Sequence, residues 1–186
     1  MGQLVIGRDE EGITLVELLV VVAIVGILVA ALGFSFAGWK TNYKIESETK
    51  RIFSDLMDAR LKATQKGKTF FFQFTGSSPY TSYATVEDTD EDGSSAGETP
   101  VPASEPPEYP VWWGNSSGTG RDPQITLDNK GMIHMYAVDG TTPKQIGYIK
   151  VNAQGTPDYN CIIVEPTRIQ LGRLTTVSAS GQCNAR

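Results

Sequence analysis

Gly12-Ile13-Thr14-Leu15-Val16-Glu17-Leu18-Leu19-Val20-Val21-Val22-Ala23-Ile24-Val25-Gly26-Ile27-Leu28-Val29-Ala30-Ala31-Leu32-Gly33-Phe34 sets the plan of this chain. From Leu15 to Trp39 the only ionisable side chain is Glu17. About 20 apolar residues cross a bilayer, so the run reads as a membrane helix. A lone carboxylate in hydrocarbon costs roughly 2.5–3.5 kcal/mol on insertion scales. The segment itself holds no positive partner for Glu17. The partner must therefore come from processing or from another subunit.

Gly12, then Ile13-Thr14-Leu15, then Glu17 and the apolar stretch, closely resemble the class III signal of type IV pilins and type II secretion pseudopilins. The resemblance implies a chemistry for these positions. A prepilin peptidase cuts after Gly12 on the cytoplasmic side, and the new amino group of Ile13 is N-methylated. Glu17 then meets the Ile13 ammonium of a neighbouring subunit inside a helical filament. That pairing would make the buried acid tolerable. A plain single-span anchor accounts for the hydrophobicity but not for the placement of Gly-Ile-Thr-Leu-x-Glu at its start. A secretory signal peptide fits worse, because no small-residue cleavage site closes the apolar region.

Residues 1–12 are then a leader, 13–39 the membrane and filament-core helix, 40–67 the amphipathic half of the same helix, and 68–186 a β-rich domain. The leader departs from the family pattern, which is generally basic. Here Arg8 is followed by Asp9, Glu10 and Glu11, and Lys40 and Lys44 follow the span, so the charge rule for topology gives only a weak orientation. The cytoplasmic leader rests on the cleavage motif.

Between 40 and 66 there is no Pro and no Gly. Ile45, Thr49, Ile52, Leu56, Ala59 and Ala63 recur at steps of three and four, with Phe53, Met57 and Arg60 beside them. This is one apolar stripe on a helix, and Gly67 is its expected stop. One helix over 13–66 would run about 80 Å, softened at Gly26, Gly33 and Gly38.

Beyond Gly67 the period changes. Residues 68–75 and 80–86 read as a hairpin across Gly76-Ser77-Ser78-Pro79. Residues 88–107 read as a polar loop. Strands are expected at 124–127 and 132–137 around the turn Asp128-Asn129-Lys130-Gly131, and at 145–151, 159–165 and 168–171, with a short strand or core-packed loop at 111–113. The order predicts an α+β fold: a long N-terminal transmembrane-plus-amphipathic helix packed on a C-terminal antiparallel sheet, as in pilins. Residues 51–63 with Gly67, 127–133, and 161–183 around Arg168 and Arg173 look like the helix, strand pair and closing segment of GspH/FimT-type minor pilins.

The net charge is −5. Residues 87–108 hold eight acids and no base, whereas 140–186 carry a net +3. Within the acidic loop, Asp88, Asp90 and Asp92, followed by Gly93, have the spacing of a calcium loop. The twelfth position from Asp88 is Thr99, with Glu98 one residue away, and no helices flank the loop. A solvated acidic loop and a weak Ca²⁺ site therefore both remain open. No other cofactor is expected. Cys161 and Cys183 are an even pair on an exported domain and read as a disulfide, with two free thiols as the alternative. A single histidine, His134, leaves no zinc or haem ligand set.

Arg168, Arg173, Lys150 and Arg186 read either as ordinary surface cations or as a basic patch. The FimT-type resemblance attaches DNA uptake to an Arg pair, here Arg168 and Arg173. DNA affinity needs phosphate neutralisation, which the acidic loop opposes. Trp112-Trp113 reads as core or subunit contact rather than a stacking platform. No nucleophile-base-orienter set or phosphate loop is present, so an enzyme is not expected.

The resemblance implies other pilin or pseudopilin subunits, a prepilin peptidase, an assembly platform protein and the inner membrane as partners. The domain would face the periplasm and then an extracellular or periplasmic filament. A type IV pilus minor pilin, a type II secretion pseudopilin and an anchored binding module that never polymerises are the competing functions.

Overall fold

A stripe of small and branched side chains on one helix is the wall against which the rest of the domain is built. In the computed structural model, residues 12–102, 105–114, 123–137 and 141–186 are described, with 31–37 and 102 described for their backbone alone. The helix, α1, spans Leu15–Lys66. The chain divides into two compact units, Met1–Lys40 and Thr41–Arg186.

In the first unit the side chains between Ile13 and Val29 are exposed. No helix among the described residues is long and apolar enough to cross a membrane. The expected span between Leu15 and Trp39 includes 31–37, whose side chains lie outside the described residues, as does the Gly33 softening point. Of the expected leader, 1–12, residues 1–11 lie outside them as well.

In the second unit every member of the predicted stripe is buried: Ile45, Thr49, Ile52, Leu56, Ala59 and Ala63. Thr49 loses no hydrogen bond there, because its hydroxyl donates to the Ile45 carbonyl at 2.8 Å. The helix ends as expected at Gly67, which has φ +68°. The Lys68 N–H donates to the Ala63 carbonyl at 3.2 Å, closing a Schellman turn.

Among the described residues eleven strands follow, in two antiparallel sheets. The first sheet holds β1 (Phe70–Thr75), β2 (Ser82–Glu87), β3 (Val101–Pro102), β5 (Gln124–Leu127), β6 (Ile133–Tyr136) and β7 (Pro143–Lys144), in the order β3-β2-β1-β5-β6-β7. The second holds β4 (Val111–Gly114), β8 (Gly147–Val151), β9 (Cys161–Val164), β10 (Ile169–Leu174) and β11 (Cys183–Ala185), in the order β11-β10-β9-β8-β4. The expected single sheet is thus two. A paired bridge between Tyr80 and Val111 and the Ile133 N–H to Pro166 carbonyl bond, 2.8 Å, join them.

Both sheets turn side chains into one core with the helix stripe. Phe70, Phe72 and Phe74 of β1 meet Trp113, Ile149, Val151 and Ile162 of the second sheet there. The Phe74 and Trp113 rings stack at 5.6 Å. Trp113 is therefore core, as its sequence suggested. Polar groups of the helix fix the returning chain. The Arg60 guanidinium donates to the Gly131 carbonyl at 2.7 Å and to the Thr167 carbonyl at 2.9 Å. Asn42 Oδ1 accepts the Thr156 N–H at 2.9 Å, and Glu46 accepts the Asp158 N–H at 2.8 Å.

The hairpin β1–β2 forms with the expected turn, and β5 and β6 flank the expected Asp128–Gly131 turn. Two details differ from expectation. The segment 88–107 is not wholly loop, since Val101 and Pro102 pair with Thr85 and Ala84 at the open edge of β2. β10 runs on to Leu174 because Cys183–Ala185 adds a strand beside it. The expected disulfide between Cys161 and Cys183 forms, and it links this last strand to β9.

The core is closely packed at Gly147, where an added Cβ would lie 2.2 Å from Trp113 and 2.9 Å from Met135 Sδ. Overpacking a filled core costs about 1–3 kcal/mol. Gly147→Ala should therefore lower stability by that amount or more, read as a shift in the denaturant midpoint. An unchanged midpoint would show that the Trp113 ring moves freely.

Candidate functional site

The first site is the start of the helix. Thr14 precedes the first helical residue, and its hydroxyl oxygen accepts the Glu17 N–H at 3.2 Å. Its carbonyl accepts the Leu18 N–H, also at 3.2 Å. Thr14 is thus the N-cap, and Glu17 is the third residue of the helix. The sequence reading assigns Glu17 to assembly and overlooks this cap. The Thr-x-x-Glu spacing before an apolar run, the capping-box signature, is the signal that finds it. Glu17 sits in the first turn, where the helix dipole favours negative charge. Among the described residues it makes no ion pair. Gly12 and Ile13 lie outside the helix and are exposed, Ile13 by 75%. The bond between them is open to solvent, just ahead of the Thr14 cap.

The second site is the acidic loop. Asp88, Asp90 and Glu98 bring ligand atoms within 4.8 Å of one another. This replaces the expected set of Asp88, Asp90 and Asp92. Asp92 instead caps the turn, accepting the Ser94 N–H at 2.7 Å. Glu98 returns toward the loop's beginning because the Thr89 N–H and hydroxyl donate to it at 2.7 and 2.6 Å. Chain reversal also uses left-handed backbone at Glu91 (φ 63°), Gly93 and Gly97. Glu98 was visible in the sequence as one position off the expected twelfth ligand.

The charges of the loop respond to this crowding. The Thr89 hydroxyl and N–H hold the Glu98 carboxyl below its ordinary value. At Asp90 the Asp92 N–H acts downward. Desolvation and the charges of Asp92, Glu98 and Asp88 outweigh it, and that carboxyl is pushed up.

The loop also packs. Phe71 and Gln73 point from β1 to the face opposite Phe70 and Phe72. Gln73 donates to Ser95 at 2.5 Å, and Ser95 donates to Gln124 at 2.7 Å, so the loop crosses this face. Phe71 and Val86 are buried there. Further acids of the segment serve the helix: Lys66 pairs with Glu87, and Lys44 with Glu108 at 2.6 Å. Arg51 donates to the Glu105 carbonyl at 2.6 Å.

Beside the loop lies a cleft of about 540 Å³, lined by Asp58, Lys62, Lys66, Tyr83 and Glu98 among others. The Tyr83 hydroxyl donates to Asp55 at 2.6 Å, and burial together with that carboxylate pushes its pKa up. Cation and anion alternate on the walls, with Lys62 paired to Asp58 at 2.7 Å.

The structure does not gather the four candidate cations into a patch. Lys150 is fully buried, and its ammonium donates to the Ala179 carbonyl at 2.6 Å. Burial pushes its pKa down. It points inward because its neighbours Ile149 and Val151 face the main core while Lys150 faces the small cluster around the disulfide. Arg168 is paired with Glu165. Arg173 lies on β10, opposite Asn184. His134 is an exposed strand residue whose ring nitrogen lies 3.0 Å from Asp128.

Residues 7–33 match the family model for the prokaryotic N-terminal methylation motif. No curated protein and no solved structure matches the chain.

The depressed Glu98 carboxyl gives a pH expectation. Its stabilising contribution is present above the unfolded value near 4.5 and is lost as pH falls through the lower folded value. Thr89→Val should move the Glu98 titration back toward 4.5, followed by carboxyl-carbon NMR. An unmoved titration would show that Thr89 does not hold this carboxylate.

Proposed function

We propose that this chain is a GspH/FimT-type minor pilin-like subunit. The methylation motif over 7–33 marks a type IV pilin-like substrate of prepilin peptidase, with the peptidase and pilin subunits as its general partners. That match is the observation that carries the reading. In the proposed mechanism the peptidase cuts between Gly12 and Ile13, and Ile13 is methylated. The apolar helix then holds the subunit in the inner membrane, with the β-rich domain in the periplasm. An assembly platform protein draws it into a type IV pilus or pseudopilus, at or near the tip.

The exposed apolar side chains between Ile13 and Val29 support this reading, because a contiguous apolar surface of that size needs lipid or other helices to cover it. So does the placement of Glu17. The Thr14 cap starts the helix at Leu15, so Ile13 and Glu17 of each subunit stand at the head of the same helix. A staggered neighbour can then exchange partners with little rearrangement. Assembly, not catalysis, is the role. Pairing of Arg168 with Glu165 and burial of Lys150 favour a structural subunit over a DNA-uptake subunit. A pilus and a type II secretion pseudopilus use the same features of this chain. A subunit that stays anchored and never polymerises is the contrasting reading.

Intact-mass and N-terminal peptide spectrometry on protein from its native membrane should find a chain beginning at N-methyl-Ile13 with Cys161 and Cys183 oxidised. Gly12→Asp should leave the leader in place. Glu17→Ala should be processed but fall at least tenfold in the sheared filament fraction. A chain that keeps its leader in cells with active peptidase would sink the reading. Processed Glu17→Ala that enters filaments normally would remove Glu17 from assembly.

A further inference from the structure

We propose that Asp88, Asp90 and Glu98 form a calcium site that fastens the acidic loop across the outer face of the first sheet.

The cluster alone would be an ordinary acidic surface. The second observation is Asp88 itself. It is only 2% exposed, yet one carboxylate oxygen, Oδ1, is buried with no hydrogen-bond partner among the described residues. Its other oxygen accepts the Gly93 N–H at 3.1 Å. A buried carboxylate oxygen is costly unless a donor or cation meets it. Nearby cations are committed elsewhere: Lys68 donates to the Thr89 carbonyl at 2.8 Å and pairs with Glu91 at 3.4 Å. Lys66 is held by Glu87. Within 4.8 Å of the Asp88 carboxylate stand oxygens of two further carboxylates, from Asp90 and Glu98.

The chemistry of the set selects the cation. All three donors are oxygen, with no imidazole or thiolate, which favours hard divalent ions. Calcium–oxygen distances of about 2.3–2.6 Å let two ligands on opposite sides of the ion stand about 4.6–5.2 Å apart. The three ligand atoms lie within 4.8 Å of one another, close enough for one such ion to bridge them. Magnesium, at about 2.0–2.1 Å, demands near-octahedral geometry and gives up its waters reluctantly, which an irregular loop of carboxylates suits poorly. Carboxylates in bidentate mode, with water, can complete the six to eight positions that calcium takes.

The placement gives the ion a role. Asp88 is anchored to the sheet, its N–H donating to the Thr69 carbonyl at 3.0 Å. Glu98 lies where the chain comes back before β3. One ion on both closes the loop at its neck, and Ser95 between them is the residue that reaches Gln73 and Gln124 over Phe71.

Calorimetric titration of the full chain in detergent with CaCl₂, at constant ionic strength, should give one site per chain with Kd of about 10⁻⁴–10⁻³ M. MgCl₂ should bind at least tenfold more weakly. Asp90→Asn and Glu98→Gln should each weaken calcium at least tenfold, whereas Asp92→Asn should change it less than threefold. Asp88→Asn should melt higher than wild type in EDTA and lose the calcium-dependent rise in Tm. If Asp88→Asn does not fold, the exposed Asp90→Asn decides. No heat and no change in Tm at about 10 mM calcium, equal binding of magnesium, or equal losses in Asp92→Asn and Glu98→Gln would each overturn the assignment.

Discussion

The burial of one helix face by two sheets is the constraint on which the domain depends. Ile45, Ile52, Leu56, Ala59 and Ala63 share a single core with residues of both sheets. A helix offers only a narrow stripe, so the chain must approach closely at the stripe's edges. Gly131 and Gly155 mark two such approaches. A Cβ at Gly131 would lie 3.0 Å from Thr64 Cγ2, and one at Gly155 would lie 2.7 Å from Asn42 Oδ1. Gly131 also carries φ +77°, which side chains rarely adopt. Small residues on the helix, Ala59 and Ala63, are the matching half of the arrangement. Loss of Ile52 as Ala would cost about 2–5 kcal/mol, lost burial and the cavity together.

The helix was legible because its period is long and its polar positions are consistent. Every stripe residue named from spacing is buried, and Gly67 ends the element. The division into two sheets was not legible. Alternation along a strand tells which side chains face a core, but it does not say which strands pair. β3, β7 and β11 were missed for a related reason: each is two or three residues long and owes its existence to an edge already formed. Lys150 misleads in the opposite way, since a lysine inside a strand reads as solvent-facing. Here the 175–182 segment returns over it and supplies the Ala179 carbonyl.

The acidic loop shows the same limit on a smaller scale. Its composition announces solvent, and its Asp-x-Asp-x-Asp spacing announces a regular cation loop. Neither describes it well. Residues 88–98 cover Phe71 and Val86, and their acids are divided among roles that composition does not reveal. Asp92 caps a turn, Glu91 meets Lys68, and Glu98 takes the donors of Thr89. Only where the backbone turns left-handed at Glu91, Gly93 and Gly97 does the chain bring Glu98 back beside Asp88. Linear spacing cannot anticipate such a return. The Thr14 cap, by contrast, is local in sequence and could have been read directly.

The bonds from α1 to the returning chain also set how the domain carries load. They leave the helix at Asn42, Glu46, Arg51 and Arg60, spaced along its length, and end on Thr156, Asp158, Glu105 and Gly131. A pull along the helix axis therefore acts on them in shear, all at once, together with the packed stripe. Peeling would break them one after another at a far smaller force. Anchors at four levels thus make the helix hard to draw out of its own domain lengthwise.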